Sequence, residues 1–366
     1  MQHGIRCMLM RGGTSKGAYF LASDLPSVES ERDDLLLRIM GSPDARQVDG
    51  LGGAHPLTSK VAVVGKSSSP DADIDFLFAQ VSVDKPLVDT TPNCGNILAG
   101  VGPFALERGL IPASDSITRV RVRTLNTGTL AELVVPTPGG KVCYEGDEHI
   151  DGVPGTSAAI PINFLNPEGS VCGSLLPTGK TVDLIQGVEV TCIDNGMPVV
   201  ILRACDVGFD GAESCTEIES AAESLKKVEA IRREAAERMG MGDVSEAVVP
   251  KVSLISRARN GGTLCTRNLI PLRCHASIGV FAAVSIATAC GLPGSPAHAV
   301  AVLPPGKIKR LEIEHPTGSF SVRLEVGGTA KDPIVERAGL VRTARAIFDG
   351  IVFPRSHQAS DKTGAE

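Results

Sequence analysis

Tryptophan is absent from this chain and tyrosine occurs only twice, so aromatic stacking contributes little to its core. The ten cysteines, at positions 7, 94, 143, 172, 192, 205, 215, 265, 274 and 290, include no Cys-x-x-Cys pair. A zinc site or a thioredoxin-type motif is therefore not expected. No basic-then-apolar segment opens the sequence, and no apolar run is long enough to span a bilayer. No long basic run accompanies the net charge of −6, which argues against nucleic acid as a partner. No GxGxxG follows a strand-like run and no cluster of metal-ligand residues stands out, so no nicotinamide, metal or other cofactor is expected. These absences predict a cytoplasmic protein with reduced thiols, bound to neither membrane nor nucleic acid.

What remains is the composition of a soluble globular protein, with 42% hydrophobic and 21% charged residues. A single core stops growing near roughly 250–300 residues, so a chain of 366 is expected to form two domains.

The stretch from Thr91 to Leu110 reads as a turn running into a helix. Asn93 is a good N-cap, because its side-chain oxygen can accept from an amide one turn on. Cys94 then falls in the first turn beside Gly95 and Asn96. Ile97, Leu98, Val101, Phe104 and Ala105 follow with no charge before Glu107, the pattern of a buried helix. A thiol there faces free amides and the positive end of the helix dipole, which favour the thiolate. The same amides can bind an anion, and Gly95 lets a ligand approach the backbone. The alternative is a small apolar residue packed under a helix, and the residues alone leave both readings open.

Earlier in the chain, strands at 5–10 and 18–21 flank the polar, glycine-bearing tip Arg11 to Gly17. Arg11, Thr14, Ser15 and Lys16 supply donors and positive charge suited to a carboxylate; the alternative is an exposed turn. The tip lacks the spacing of a phosphate-binding P-loop. Residues 31–40 predict a helix. The glycine-rich run Gln47 to Gly53 and then Thr58-Ser59 lead to Lys60, at the mouth of the apolar strand 61–64. That lysine is either a solvated strand start or an ammonium pointed into a cleft. Strands follow at 76–83, 118–125 and 128–135, the last two joined through Asn126-Thr127.

Near Thr181 the chain starts again. Gly13 and Gly196, Lys60 and Lys251, Cys94 and Cys274, and Gly128 and Gly318 recur in order, always 180–191 residues apart. Four landmarks at nearly constant offset predict one design used twice. The expected fold is α+β: two pseudo-twofold-related halves, 1–182 and 183–353, each a curved, mainly antiparallel, barrel-like sheet wrapped round a buried helix. Cys274 is expected to open the second helix. A charged amphipathic helix is expected at 218–239, a helix and a strand at 334–353, and a flexible tail at 354–366. Two such helices can aim their N-termini at one cleft and hold a small di- or trianion. Cys94, Lys60 and the Arg11–Lys16 tip would come from one half, and His275 to Ser277 and His315 to Gly318 from the other. Both histidines have the alternative reading of capping or core residues.

The runs Met10 to Gly17, Met40 to Asp44, Asp49 to Gly53, Thr58-Ser59-Lys60-Val61 and Asn93-Cys94-Gly95-Asn96 resemble those of the 2-methylaconitate isomerase and 4-oxalomesaconate tautomerase family. The resemblance covers nearly the whole chain to about residue 353 and is most specific in the first 110 residues. It implies a diaminopimelate epimerase-like fold and a proton-transfer pair at Lys60 and Cys94. Substrate contacts are expected from Arg11, Thr14, Ser15, Lys16, Ser59, Asn93, Gly95, Asn96, His275, Ser277, His315, Thr317 and Gly318. The family places His275 at the second helix start, which displaces Cys274 and argues against racemisation by a cysteine pair. The implied activity is a cofactor-independent 1,3-proton shift on a small unsaturated tricarboxylate. The compact 41–53 loop and Gly102 to Gly109 look closer to the oxalomesaconate branch, in aromatic acid degradation, than to the methylaconitate branch of propionate metabolism. A non-catalytic carboxylate-binding protein is the alternative from another class. The assembly state is left open, a homodimer among the options.

Overall fold

Strands β1 (Ile5–Gly12) and β2 (Ser15–Leu21) pair antiparallel with Gly12 opposite Ser15, so the hairpin tip is only Gly13 and Thr14. Gly13 takes a φ of +50°, which lets so short a loop close. Arg11, Ser15 and Lys16 therefore lie on strands, not in the longer tip expected from the sequence. Described in this computed structural model are residues 4–91, 93–165, 167–328 and 333–356.

After α1 (Glu29–Met40), which ends on a left-handed Gly41, β3 (Lys60–Lys66) runs parallel to β2. β4 (Ile74–Val81) returns antiparallel to β3, and the short β5 (Val88–Asp89) pairs with its end. Next comes α2 (Gly95–Glu107). β6 (Ser116–Thr124) then runs parallel to β4, and β7 (Leu130–Thr137) antiparallel to β6.

Every residue of α2 from Ile97 to Leu106 is buried, as its charge-free sequence requires. The sheet grips it from two sides. On β2, the Tyr19 hydroxyl donates to the Ile97 carbonyl at 2.6 Å, and its ring lies 5.8 Å from that of Phe104. On the other side Gly102 faces Leu133 and Val135 of β7. The fully buried Phe104 contributes on the order of 1.5–3 kcal/mol by leaving water.

β8 (Ile160–Leu165) leads onward to β9 (Asp183–Ile185), β10 (Val188–Asp194) and β11 (Pro198–Arg203). α3 (Cys215–Ser220) and α4 (Ala222–Arg238) precede β12 (Lys251–Ser256), β13 (Leu264–Ile270) and β14 (Arg273–Cys274). Then follow α5 (Val280–Cys290), α6 (Pro296–Val300), β15 (Ile308–His315), β16 (Gly318–Gly328) and β17 (Pro333–Arg342). β10 to β13 repeat the pairing of β1 to β4, including one parallel step, β11 with β12. β15 again lies parallel to β13, and β16 antiparallel to β15. α5 is buried from Ala282 to Cys290. The sequence repeat is thus a repeat of topology, and the mixed α+β architecture is the one expected. β18 (Ala344–Val352) closes the chain by pairing antiparallel with β1.

By contact, one compact unit comprises the chain up to Ile162 plus the segment from Arg342, and the other is Asn163–Val341. The chain changes over earlier than the 182/183 position read from the repeat. Residues 170–172 are tied to β10, where the Asp194 carboxylate accepts from Ser170 Oγ at 3.0 Å and from the Val171 and Cys172 amides at 2.7 and 2.8 Å.

Several local expectations are corrected. Cys94 is itself the N-cap of α2, in extended conformation, and Asn93 stands one residue before it. Cys274 ends in β14, held by pairing with Leu269, and α5 begins only after the N-cap Gly279. The charged helix is two helices: a Ser214–Glu217 capping box starts α3, and non-helical Ala221 separates it from α4. Its charges are not all solvated, since Arg232 is fully buried, paired with Glu229 at 2.7 Å and bonded to the Val244 carbonyl at 2.9 Å. Residues 333–352 form two strands instead of a helix and a strand. The expected flexible tail, 354–366, lies outside the described residues from 357 onward.

A β-carbon on Gly12 would lie 2.3 Å from the Asn96 carbonyl oxygen, a backbone atom of the first turn of α2. Gly12→Ala should therefore push hairpin and helix apart and cost about 1–3 kcal/mol, seen as a lower denaturation midpoint with an unchanged slope in urea.

Candidate active site

The hairpin tip, the first turn of α2 and the start of β3 converge within the first unit. Gly13 packs against the Asn96 side chain, and Asn96 Nδ2 donates to Thr14 Oγ1 at 3.0 Å. Gly17 sits where the other two meet: a β-carbon there would lie 2.9 Å from the Lys60 carbonyl oxygen and 3.0 Å from Ile97 Cδ1. Of the expected residues, Arg11, Thr14, Ser15, Lys16, Lys60, Cys94, Gly95 and Asn96 thus lie on elements that the fold packs together.

Lys60 is buried, with 8% of its surface exposed. Its ammonium donates to Gln80 Oε1 at 2.6 Å and lies 4.9 Å from the centre of the Phe78 ring. Gln80 is turned to present that oxygen because its amide donates to the Ser59 and Pro56 carbonyls at 2.8 and 3.0 Å. Among the described residues the lysine is therefore held by neutral groups and not by an ion pair. Arg11 is held likewise, by the Gly13 carbonyl at 3.0 Å, Thr343 Oγ1 at 2.8 Å and Ser157 Oγ at 3.0 Å. Burial and the nearby Arg345 charge lower the Arg11 pKa from its usual value. The Lys16 ammonium lies beside the Gly53 backbone, 3.3 Å from where a β-carbon would stand.

Among the described residues, two polar atoms here are buried with no hydrogen-bond partner, Ser15 Oγ and Asn93 Oδ1. The Asn93 amide is oriented by donation to Thr127 Oγ1 at 2.5 Å. Thr127 belongs to the turn that Asn126 docks onto β4, through bonds of 2.9 and 2.8 Å to the Phe78 amide and carbonyl. Ser59 is different: its hydroxyl donates to the Val81 carbonyl at 2.8 Å and accepts from Gln47 at 2.7 Å, which commits it to the 41–53 loop.

The second unit assembles its own set. The His275 Nδ1 accepts from the Ser277 amide at 2.9 Å, and Ser277 Oγ lies 3.3 Å from His315 Nε2. Thr317 Oγ1 donates to the Ala276 carbonyl at 2.8 Å. His315 pairs with Gly318 across a tight turn. So His275, Ser277, His315, Thr317 and Gly318 do cluster, although His275 and Ser277 precede α5 instead of opening it. Cys274 lies apart in character, its thiol pushed up to about 12 by burial and by the neighbouring Cys215 thiol.

The family described as PrpF protein matches residues 2–355. The chain belongs to the PrpF family. Its similar relatives include "(4E)-oxalomesaconate Delta-isomerase" of Novosphingobium sp. (strain KA1), 56% identical over 347 residues, covering 95% of this chain and 96% of that one. "4-oxalomesaconate tautomerase" of Pseudomonas putida (strain KT2440) is also 56% identical, over 351 residues and 96% of each chain. A crystal structure of methylitaconate-delta-isomerase superposes with a TM-score of 0.85 at 34% identity, covering 99% of this chain and 100% of the other.

For this PrpF-family chain, sequence reasoning passed over several residues that shape the site. Gln47, buried at a φ of +45°, bonds Ser42, Ser59 and the Ala54 amide and so organises the loop before Lys60. Arg342 donates to Asn96 Oδ1 at 3.2 Å from 246 residues away. Only Gln80 left a signal, through its alternation with Phe76 and Phe78. Among the described residues no group of three or more His, Cys, Asp or Glu is gathered in a way that could hold a metal ion, and no helix is long and apolar enough to cross a membrane.

Burial, reinforced by the Lys251 charge, holds the His275 pKa below its ordinary value, against the opposing bond from Ser277. The unfolded chain then takes the proton first as pH falls through about 6.5, so the folded state loses stability there. Melting temperatures between pH 7.5 and 5 should fall for the wild type and fall less for His275→Gln.

Proposed function

We propose that the chain is a cofactor-independent isomerase that moves a proton between the ends of a three-atom unit in a small unsaturated tricarboxylate. 4-Oxalomesaconate is the proposed substrate. The observation that carries this reading is the 56% identity, over nearly all of both chains, to proteins so named. The site chemistry agrees with it. A keto–enol or allylic shift needs a base to take an acidic C–H proton, a field to hold the enolate and an acid to return the proton elsewhere. Lys60 is proposed as base and Cys94 as acid, with the reverse assignment equally consistent. Lys60 suits the task because its partners are the neutral Gln80 and Phe78, so no ion pair must break before a proton moves.

Ser15, Lys16, Gly95, Asn96 and the tip held by Arg11 and Thr14 are proposed to bind carboxylate and enolate oxygens. Within the second unit, His275, Ser277, His315, Thr317 and Gly318 are proposed to bind carboxylate oxygens. Ser59 is proposed to act through the loop it anchors. Asn93 presents an unpartnered acceptor, so it suits an enol hydroxyl better than a carboxylate. The second reading, 2-methylaconitate isomerisation, uses the same proton chemistry and is separated by assaying both substrates side by side.

Lys60→Met and Cys94→Ser should each lower turnover at least about 10²-fold, the usual scale for a lost acid or base. An NMR time course of 4-oxalomesaconate in D₂O checks this. Full activity in either variant removes its assigned role, and no deuterium uptake with the wild type favours a carboxylate-binding protein without catalysis.

A further inference from the structure

Lys251 opens β12 at the place that Lys60 takes in β3. Each lysine begins a strand parallel to the second strand of its hairpin, with Gly17 beside Lys60 and Val199 beside Lys251. Each strand is followed by an antiparallel partner and then by a buried helix. The two positions differ in what faces the ammonium. Gln80 pairs with Lys60 and accepts from it at 2.6 Å. In β12, Val252 pairs with Leu269, so Ile270 takes the position of Gln80 and offers no acceptor.

Lys251 is half-buried and has no hydrogen-bond or ion-pair partner among the described residues. Sheltering an ammonium from water with nothing to accept from it is unfavourable, and an anion placed beside it relieves that cost. Lys251 Nζ lies 3.8 Å from where a β-carbon on Gly279 would stand. Its charge reaches His275, and among the described residues no carboxylate acts on either. Between His275 and Gly279 lies Ser277, whose hydroxyl meets His315 at 3.3 Å.

We propose that Lys251 binds a carboxylate of a small tricarboxylate ligand within the second unit, alongside Ser277 and His315. The inference rests on the proposed function only for naming the molecule that carries the carboxylate. Propane-1,2,3-tricarboxylate, a saturated probe that cannot isomerise, tests it by calorimetry on the full chain. Lys251→Met should weaken binding about 10- to 100-fold, the scale of one charge-assisted hydrogen bond, while Lys251→Arg, which keeps the charge, stays within a few-fold of wild type. Independently of any variant, the probe should shield Lys251 from acetylation by acetic anhydride, read by peptide mass spectrometry. Unchanged affinity in a folded Lys251→Met, labelling unaffected by bound probe, or no probe binding by the wild type each overturn the proposal. Probe binding without turnover of any tricarboxylate would end the isomerase reading and leave Lys251 standing. Turnover together with an unchanged probe affinity in Lys251→Met would do the reverse.

Discussion

The close approach of a β-hairpin to the first turn of α2 is the constraint on which the first unit depends. Gly12, Gly13 and Gly17 leave no side chain between them and Asn96, Ile97 and the Lys60 carbonyl. Bare backbone lets the strands pass within contact distance of a helix end that is otherwise sealed by apolar residues. Because the helix is buried along its length, its N-terminus is fixed in position and its free amides face a defined place. The thiol of the N-cap, the tip hydroxyl of Thr14 and the start of β3 are consequences of that one packing arrangement.

The second unit repeats the frame and changes the chemistry. In both units a glycine of the hairpin tip packs on the second residue of the buried helix, which is Asn96 in one and Phe281 in the other. Asn96 links the tip to Arg342 and Thr14, whereas Phe281 stacks on Phe164 with ring centres 4.7 Å apart. The N-cap is Cys94 in one unit and Gly279 in the other. The same topology thus carries a thiol-capped helix start once and a glycine-capped one once. Histidines placed before α5 and at the β15–β16 turn supply the second set of polar groups.

The cations of these sets share a property that suits anionic ligands. Arg11 and Lys60 are held by carbonyls, hydroxyls, an amide and a ring, and Lys251 by nothing among the described residues. Elsewhere several arginines pair with carboxylates, as in Arg108 with Asp349 at 2.6 Å and Arg123 with Asp75 at 2.8 Å. Neutral partners orient a cation without cancelling its field, which leaves that field for a ligand.

The sequence by itself determined the elements whose signal is local or periodic. Charge-free residues from Ile97 to Leu106 dictate burial, alternation dictates the strands, and the recurrence of landmarks dictates two copies of one topology. It also singled out Lys60, Cys94 and the tip residues, because motif resemblance adds to local chemistry. It misplaced the cap of α2 by one residue and the start of α5 by several, since helix starts depend on backbone geometry that several neighbouring residues can satisfy. Only the tertiary structure decided what each charged group faces. Gln80 beside Lys60, Gln47 beneath the loop, Arg342 on Asn96 and Ile270 across from Lys251 all depend on strand register and on contacts between residues far apart in the chain. No local pattern encodes them, because the partner is chosen by where the sheet curves and not by what stands next in sequence.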